Sequence, residues 1–172
     1  VKRLTGIIAG PGIVMLAMLI VALAPRTAKA DDPAFLAFSA GYFDILAKDD
    51  TAFEGRVEYR SDYKLWFVKP FVGLTGTSDG AVHAYGGILS DIYFGRRWVL
   101  TPSFAPGYFH DGGGKDLGSE IEFRSQIELS YRFDDRSRLG ISFNHISNAG
   151  IGDANPGTET LAITYAIPLG GD

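Results

Sequence analysis

The sequence predicts an all-β protein, an eight-stranded antiparallel transmembrane β-barrel preceded by a cleavable signal peptide. Three observations predict it. The N-terminus reads as an export leader, eight short strand-like runs follow it, and the clearest of those runs alternate between apolar and charged side chains.

The leader comes first. Lys2 and Arg3 form a basic start, residues 13–24 are an unbroken apolar run, and Ala28-Lys29-Ala30 supplies the small residues a signal peptidase reads. Pro11 and its flanking glycines interrupt the apolar stretch upstream, which favours a leader over a membrane-spanning helix. The expected division is therefore a signal peptide at 1–30 and a barrel domain at 31–172. Of the 172 residues, removal of those 30 leaves 142, enough for one domain. The leader carries Lys2, Arg3, Arg26 and Lys29 and no acid, so the formal net charge of −4 becomes −8 in the mature chain. Such a balance argues against nucleic acid as a partner. The absence of cysteine excludes a disulfide scaffold, a thiolate nucleophile and thiolate zinc sites.

After residue 30 no helical period persists. Eight runs rich in Val, Ile, Phe and Tyr occupy residues 35–44, 52–61, 64–74, 81–94, 98–109, 118–133, 138–148 and 158–169. Turn chemistry separates them, as in Asp111-Gly112-Gly113-Gly114 and Asp153-Ala154-Asn155-Pro156-Gly157. Eight such strands close a small barrel, and bacterial outer-membrane barrels begin at that number.

The sixth run shows the two faces best. Ile121, Phe123, Ile127, Leu129, Tyr131 and Phe133 share one face with Ser119 and Ser125; Glu120, Glu122, Arg124, Gln126, Glu128, Ser130 and Arg132 share the other. The second run repeats it, with Phe53, Val57 and Tyr59 against Glu54, Arg56, Glu58 and Arg60. Periodicity alone does not say which face looks inward. In a barrel this narrow side chains fill the lumen, and charges of both signs can pair there, whereas rows of aromatics would crowd it. The apolar faces are therefore expected to meet lipid, in the outer membrane. An exported soluble barrel with an apolar cavity is the competing architecture.

The last two runs carry the candidate chemistry. On the seventh, Leu139, Ile141 and Phe143 form the apolar stripe, and further two-residue steps give His145 and Ser147. On the eighth, Leu161, Ile163, Tyr165, Ile167 and Leu169 form the stripe, and a step backward gives Glu159. Three polar residues thus interrupt two neighbouring lipid-facing stripes at one end of a hairpin. A charged group on such a face costs about 2–4 kcal/mol for Arg or Lys at mid-bilayer, less for acids and less near the interface. Polar groups persist there mainly when they pair and function. A hydroxyl, an imidazole and a carboxylate are the parts of an acyl-transfer triad: the imidazole takes the serine proton and the carboxylate fixes its tautomer. His83 and His110 have no comparable setting. One extra residue near Asn148 would flip the parity. With both ends of the barrel chain on the periplasmic side, the 149–157 loop lies outside and the three residues sit at outer-leaflet level, where lipopolysaccharide is found.

Here a resemblance becomes specific. The segment Asn144-His145-Ile146-Ser147-Asn148-Ala149-Gly150, followed by Asn155, Gly157 and Glu159, resembles the signature of the lipid A 3-O-deacylase (PagL) family, with its Glu fourteen residues after the His. The ending Tyr165-Ala166-Ile167-Pro168-Leu169 is similar to the family's close, and Leu117-Gly118-Ser119 with Phe123 is a weaker match. The resemblance implies an outer-membrane esterase that releases the 3-O-linked acyl chain of lipid A, with lipopolysaccharide as substrate. It implies Ser147 as nucleophile, His145 as general base and Glu159 as orienting carboxylate. Asn148 and Gly150 would contribute to the oxyanion hole, although strand parity turns Asn148 away from Ser147 unless the chain has already turned. No cofactor and no metal are expected. One departure is the loop Ile151-Gly152-Asp153-Ala154, which lacks a basic residue to meet a lipid A phosphate. A non-catalytic structural or adhesive barrel is the alternative. Acyl-chain length and a homodimeric state are left open.

Overall fold

The computed structural model of the chain describes residues 28–29 and 32–170. The leader predicted at 1–30 lies outside the described residues apart from Ala28–Lys29, whose backbone pairs with Tyr63–Lys64.

Eight antiparallel strands make up the barrel: β1 Ala34–Phe43, β2 Ala52–Arg60, β3 Lys69–Thr77, β4 Val82–Leu89, β5 Trp98–His110, β6 Ile121–Arg132, β7 Arg138–Ser147 and β8 Thr158–Leu169. β4 continues through Ile92–Phe94 after a break, and both pieces pair with β5 in one register. Each strand pairs with its neighbours in sequence, and β8 pairs with β1, so the sheet closes on itself. Closure leaves no unpaired edge, the condition under which a sheet can sit in hydrocarbon.

Burial settles the facing. On β6, Glu122, Arg124, Gln126, Glu128 and Ser130 are buried, while Ile121, Ile127 and Leu129 are exposed. On β2, Glu54, Arg56, Glu58 and Arg60 are buried and Phe53 and Tyr59 exposed. The polar faces line the lumen and the apolar faces point outward, the arrangement of a membrane barrel rather than a soluble one.

The lumen is filled by paired charges. Arg60 Nη2 lies 2.7 Å from both Glu58 and Glu128, and Arg124 lies 3.3 Å from Glu58, which also accepts the Tyr85 hydroxyl at 2.9 Å. Arg56 donates to Gln126 at 2.8 Å, to Ser142 at 3.0 Å and to Ser39 at 3.2 Å. A second cluster closes the lower end, where Arg138 meets Asp91 at 2.9 Å and Asp32 at 2.6 Å, and Lys69 also bonds Asp91.

The third run differs from its prediction. The strand is Lys69–Thr77 rather than 64–74, because the chain reverses between Leu65 and Val68, which exchange backbone hydrogen bonds of 2.8 and 3.1 Å. Trp66 takes a left-handed φ of 65° to make that reversal. A bulky residue in that region is uncommon, so the turn carries no Gly or Asn marker. The sixth strand starts at Ile121 rather than 118, since Gly118, at φ 83°, belongs to the preceding loop.

Segments 44–51, 78–81, 111–120 and 148–157 connect strands at one end, and 61–68, 95–97 and 133–137 at the other. Short turns face the periplasm in bacterial barrels and longer loops face out. The end carrying 111–120 and 148–157 is therefore the outer one.

Candidate active site

The β7–β8 ladder steps residue for residue from Arg138↔Ala166 to Ile146↔Thr158, with no bulge. Parity therefore holds along the whole hairpin. Asn144, Ile146, Thr158 and Thr160 are buried, and His145, Ser147 and Glu159 alternate with them on the outward wall. His145 and Glu159 are direct cross-strand partners. The His145 Nδ1–H donates to Glu159 Oε1 at 2.9 Å, with side-chain exposures of 45% and 21%. That bond fixes the tautomer and leaves Nε2 as the acceptor. Ser147, half-buried, stands one two-residue step beyond His145, and its hydroxyl makes no hydrogen bond among the described residues.

The wall beside these residues is aromatic. Ser147 is in register with Phe123 on β6, and His145 with Ser125. Phe123 stacks on Phe104 of β5, with ring centroids 6.0 Å apart and planes 10° apart. These rings form an apolar strip next to the hydroxyl.

The loop above is fastened inward by Asn148. Its amide nitrogen donates to the Leu117 carbonyl at 2.9 Å and the Ala154 carbonyl at 2.7 Å, and its oxygen accepts the Gly150 N–H at 2.9 Å. Ala149 and Gly150 follow at φ 55° and 78°, turning the chain out of the strand. The two donors predicted for an oxyanion hole thus bond each other and the neighbouring loop. Sequence gives no sign of this, because Leu117 is 31 positions away.

A buried ion pair supports the same hairpin from the lumen side. Lys115 in the 111–120 loop bonds Asp44 at 2.5 Å, and Thr158, next to Glu159, donates to the same carboxylate at 3.3 Å. Burial raises the Asp44 pKa, but Lys115 and the N–H groups of Asp50 and Asp49 overcome it and hold the carboxyl below its ordinary value. Its folded value being depressed, this group contributes stability above the unfolded carboxylate range near ~3.9, which is lost as pH falls through the folded value. Asp44→Asn should lower the thermal midpoint and remove that acid-side slope, as followed by circular dichroism in detergent between pH 7 and 2.

Of the other histidines, His83 is buried in the lumen and His110 lies at the exposed end of β5, 3.7 Å from Asp111. Among the described residues neither is hydrogen-bonded to His145, Ser147 or Glu159. An open cleft of about 430 Å³ between the 111–120 and 148–157 loops is lined by Asp111, Asp116, Glu120 and Asp153 together with His110. It presents acid, not base, to the outer surface, in keeping with the basic residue missing from residues 151–154.

Comparison with known proteins follows the hairpin. The family described as lipid A 3-O-deacylase (PagL) matches the chain over residues 50–168. The chain belongs to this family. Two lipid A deacylases named PagL are similar to it: that of Bordetella bronchiseptica is 37% identical over 51 residues, covering 30% of this chain and 29% of the relative. The Pseudomonas aeruginosa protein is 33% identical over 57 residues, 33% of each chain. The aligned segments thus span about a third of either relative. Among solved structures, the outer-membrane enzyme PagL superposes with a TM-score of 0.63 at 18% identity, over 78% of this chain and 99% of that one. Neisserial surface protein A superposes at 0.55 with 10% identity, over 79% and 96%. At these identities the superpositions speak for the fold. A PagL-family chain with this eight-stranded architecture is a multi-pass β-barrel of the outer membrane.

Proposed function

We propose that this PagL-family barrel is a carboxylic ester hydrolase that removes the 3-O-linked acyl chain of lipid A with Ser147, His145 and Glu159. The observation that carries the reading is the bonded His145–Glu159 rung on the lipid-facing wall, with Ser147 one step further along the same face. Family membership names the substrate class, and the outer-leaflet level of the hairpin is where such a lipid lies.

The chemistry runs in two halves. The Ser147 Oγ attacks the ester carbonyl carbon while His145 Nε2 takes its proton, and the imidazolium is stabilised by Glu159. The tetrahedral intermediate collapses, the sugar oxygen leaves with the proton from His145, and the acyl group stays on Ser147. Water, deprotonated by His145, then attacks the acyl-enzyme and the fatty acid is released. Oxyanion contacts are assigned to Asn148 and Gly150; to serve, the Asn148 amide exchanges its bond to Leu117 or Ala154 for the substrate oxygen. A preorganised donor is worth about 3–4 kcal/mol in related chemistry, and an amide that first gives up a bond contributes less. The reaction needs no metal or cofactor. Export by cleavage before Asp31, with residues 31–172 as the barrel domain, belongs to the same proposal.

The test is mass spectrometry of lipopolysaccharide incubated with the refolded protein in detergent, where one acyl chain should be lost from the 3-position. Recovery of intact lipid A, with the barrel folded, would leave a structural role. Glu159→Gln should lower kcat by about a hundredfold or more with KM little changed, since the carboxylate orients the base rather than touching substrate.

A further inference from the structure

The outward corner of the last hairpin has four positions. His145 and Glu159 form one rung, and the ladder ends at Ile146↔Thr158, so the next outward pair is Ser147 and Gly157. Three corners carry functional groups and the fourth carries no side chain.

The imidazole leans over that empty corner. A Cβ built on Gly157 would lie 3.0 Å from His145 Cε1 and 3.7 Å from Nε2, closer to the ring than nearly all real Cβ contacts. Gly157 itself is buried, although it sits on the exposed wall, and its φ is +64°. Diagonal neighbours across an antiparallel pair are within reach of a ring, so this contact follows from the register. Glu159 holds the ring by a single bond to Nδ1, about which an imidazole on an open wall can still pivot. The space left open at Gly157 borders the Cε1–Nε2 edge, the edge that must point to Ser147.

We propose that Gly157 is a positioning residue: the missing side chain is a seat that holds the His145 imidazole between Glu159 and Ser147. The inference rests on the hydrolase reading for its kinetic consequence but not for its geometry. Any Cβ at 157 pushes the ring edge away by a few tenths of an ångström; a misplacement of about 1 Å between reacting groups costs on the order of a hundredfold, so this smaller one costs a smaller factor.

The experiment uses the full chain refolded in detergent. Gly157→Ala is compared with Gly95→Ala, a matched control at φ +67° in a distant turn, where an added Cβ meets nothing. Gly157→Asn fills the same seat while tolerating a left-handed backbone, and stands in should the alanine variant fold poorly. With lipopolysaccharide as substrate, both 157 variants should lose about three- to tenfold in kcat with KM within twofold. The His145 Cε1–H resonance, assigned from its disappearance in His145→Gln, should move in both. Gly95→Ala should change neither quantity. Retention of kcat within twofold, a loss of rate with an unmoved His145 resonance, or an equal loss in Gly95→Ala would overturn the proposal. If the parent protein releases no acyl chain the hydrolase reading falls instead, and the ring resonance alone then decides for or against the seat.

Discussion

Ser147→Ala should leave a folded barrel whose release of acyl chains from lipopolysaccharide is at least a thousandfold slower. The size of the effect follows from the chemistry: without the hydroxyl there is no acyl-enzyme, and the base and carboxylate have no proton to move. In serine hydrolases, loss of the nucleophile removes nearly all the rate attributable to the triad, and a thousandfold is about 4 kcal/mol of barrier. The fold should not notice. Ser147 is half-exposed at the end of β7, its hydroxyl supports no other group, and alanine on a lipid-facing wall is no worse than serine. Mass spectrometry of the lipid product, with heat-shift electrophoresis as the folding control, checks both halves. A folded variant releasing acyl chains at the parent rate would remove Ser147 as nucleophile. His145→Asn should match Ser147→Ala, and the double variant should be no slower than either, because the two act as a unit.

Glu58→Ala should be the most damaging single change to stability. Glu58 is buried between Arg60, Arg124 and the Tyr85 hydroxyl, at 2.7, 3.3 and 2.9 Å. Truncating it leaves the guanidinium groups of Arg60 and Arg124 buried without the carboxylate they share. Removing one partner from a buried pair costs about 3–5 kcal/mol, several times the worth of a surface pair. The comparison within this molecule is Arg97–Asp134, equally short at 2.6 Å but with Asp134 92% exposed. Asp134→Ala should leave the thermal midpoint unchanged while Glu58→Ala lowers it strongly, as measured by denaturation in detergent. Equal midpoints for the two variants would mean that the lumen charges are solvated rather than paired. Because Glu58 lies inside the barrel and Ser147 outside, the two effects should separate cleanly, one on unfolding and the other on rate.

Much of this was legible because a strand has an exact period of two. In β6 and β2 polar positions alternate with outward ones that are apolar apart from Ser125 and Gly55, and burial follows the alternation throughout β2 and as far as Ser130 on β6. The same rule put His145, Ser147 and Glu159 on one face, which holds because no bulge intervenes before Ile146. What the sequence hid were features that depend on distant partners. The Leu65–Val68 reversal uses Trp66 in a conformation its side chain disfavours, so the aromatic run looked like strand. Asn148 reads as a candidate donor, yet its amide is spent on Leu117 and Ala154, a choice made by how two loops meet. Lys115 and Asp44 are 71 positions apart and carry no local pattern that joins them. Gly157 read as turn chemistry and as one residue of the family's signature; that a Cβ there would crowd the His145 ring is visible only once the ring has been placed.

The salt-bridged lumen has a consequence for how reactants arrive. A barrel packed solid with Arg and Glu is a post rather than a pipe, so nothing travels along its axis and planar-bilayer recordings should register no unitary current. On the proposed hydrolase reading, encounters would happen instead in two dimensions, between the flank of the post and molecules drifting past it in the leaflet. Turnover should then saturate with the area fraction of substrate in the film rather than with its bulk molarity, and diluting a fixed preparation of loaded vesicles should leave the rate per barrel unchanged.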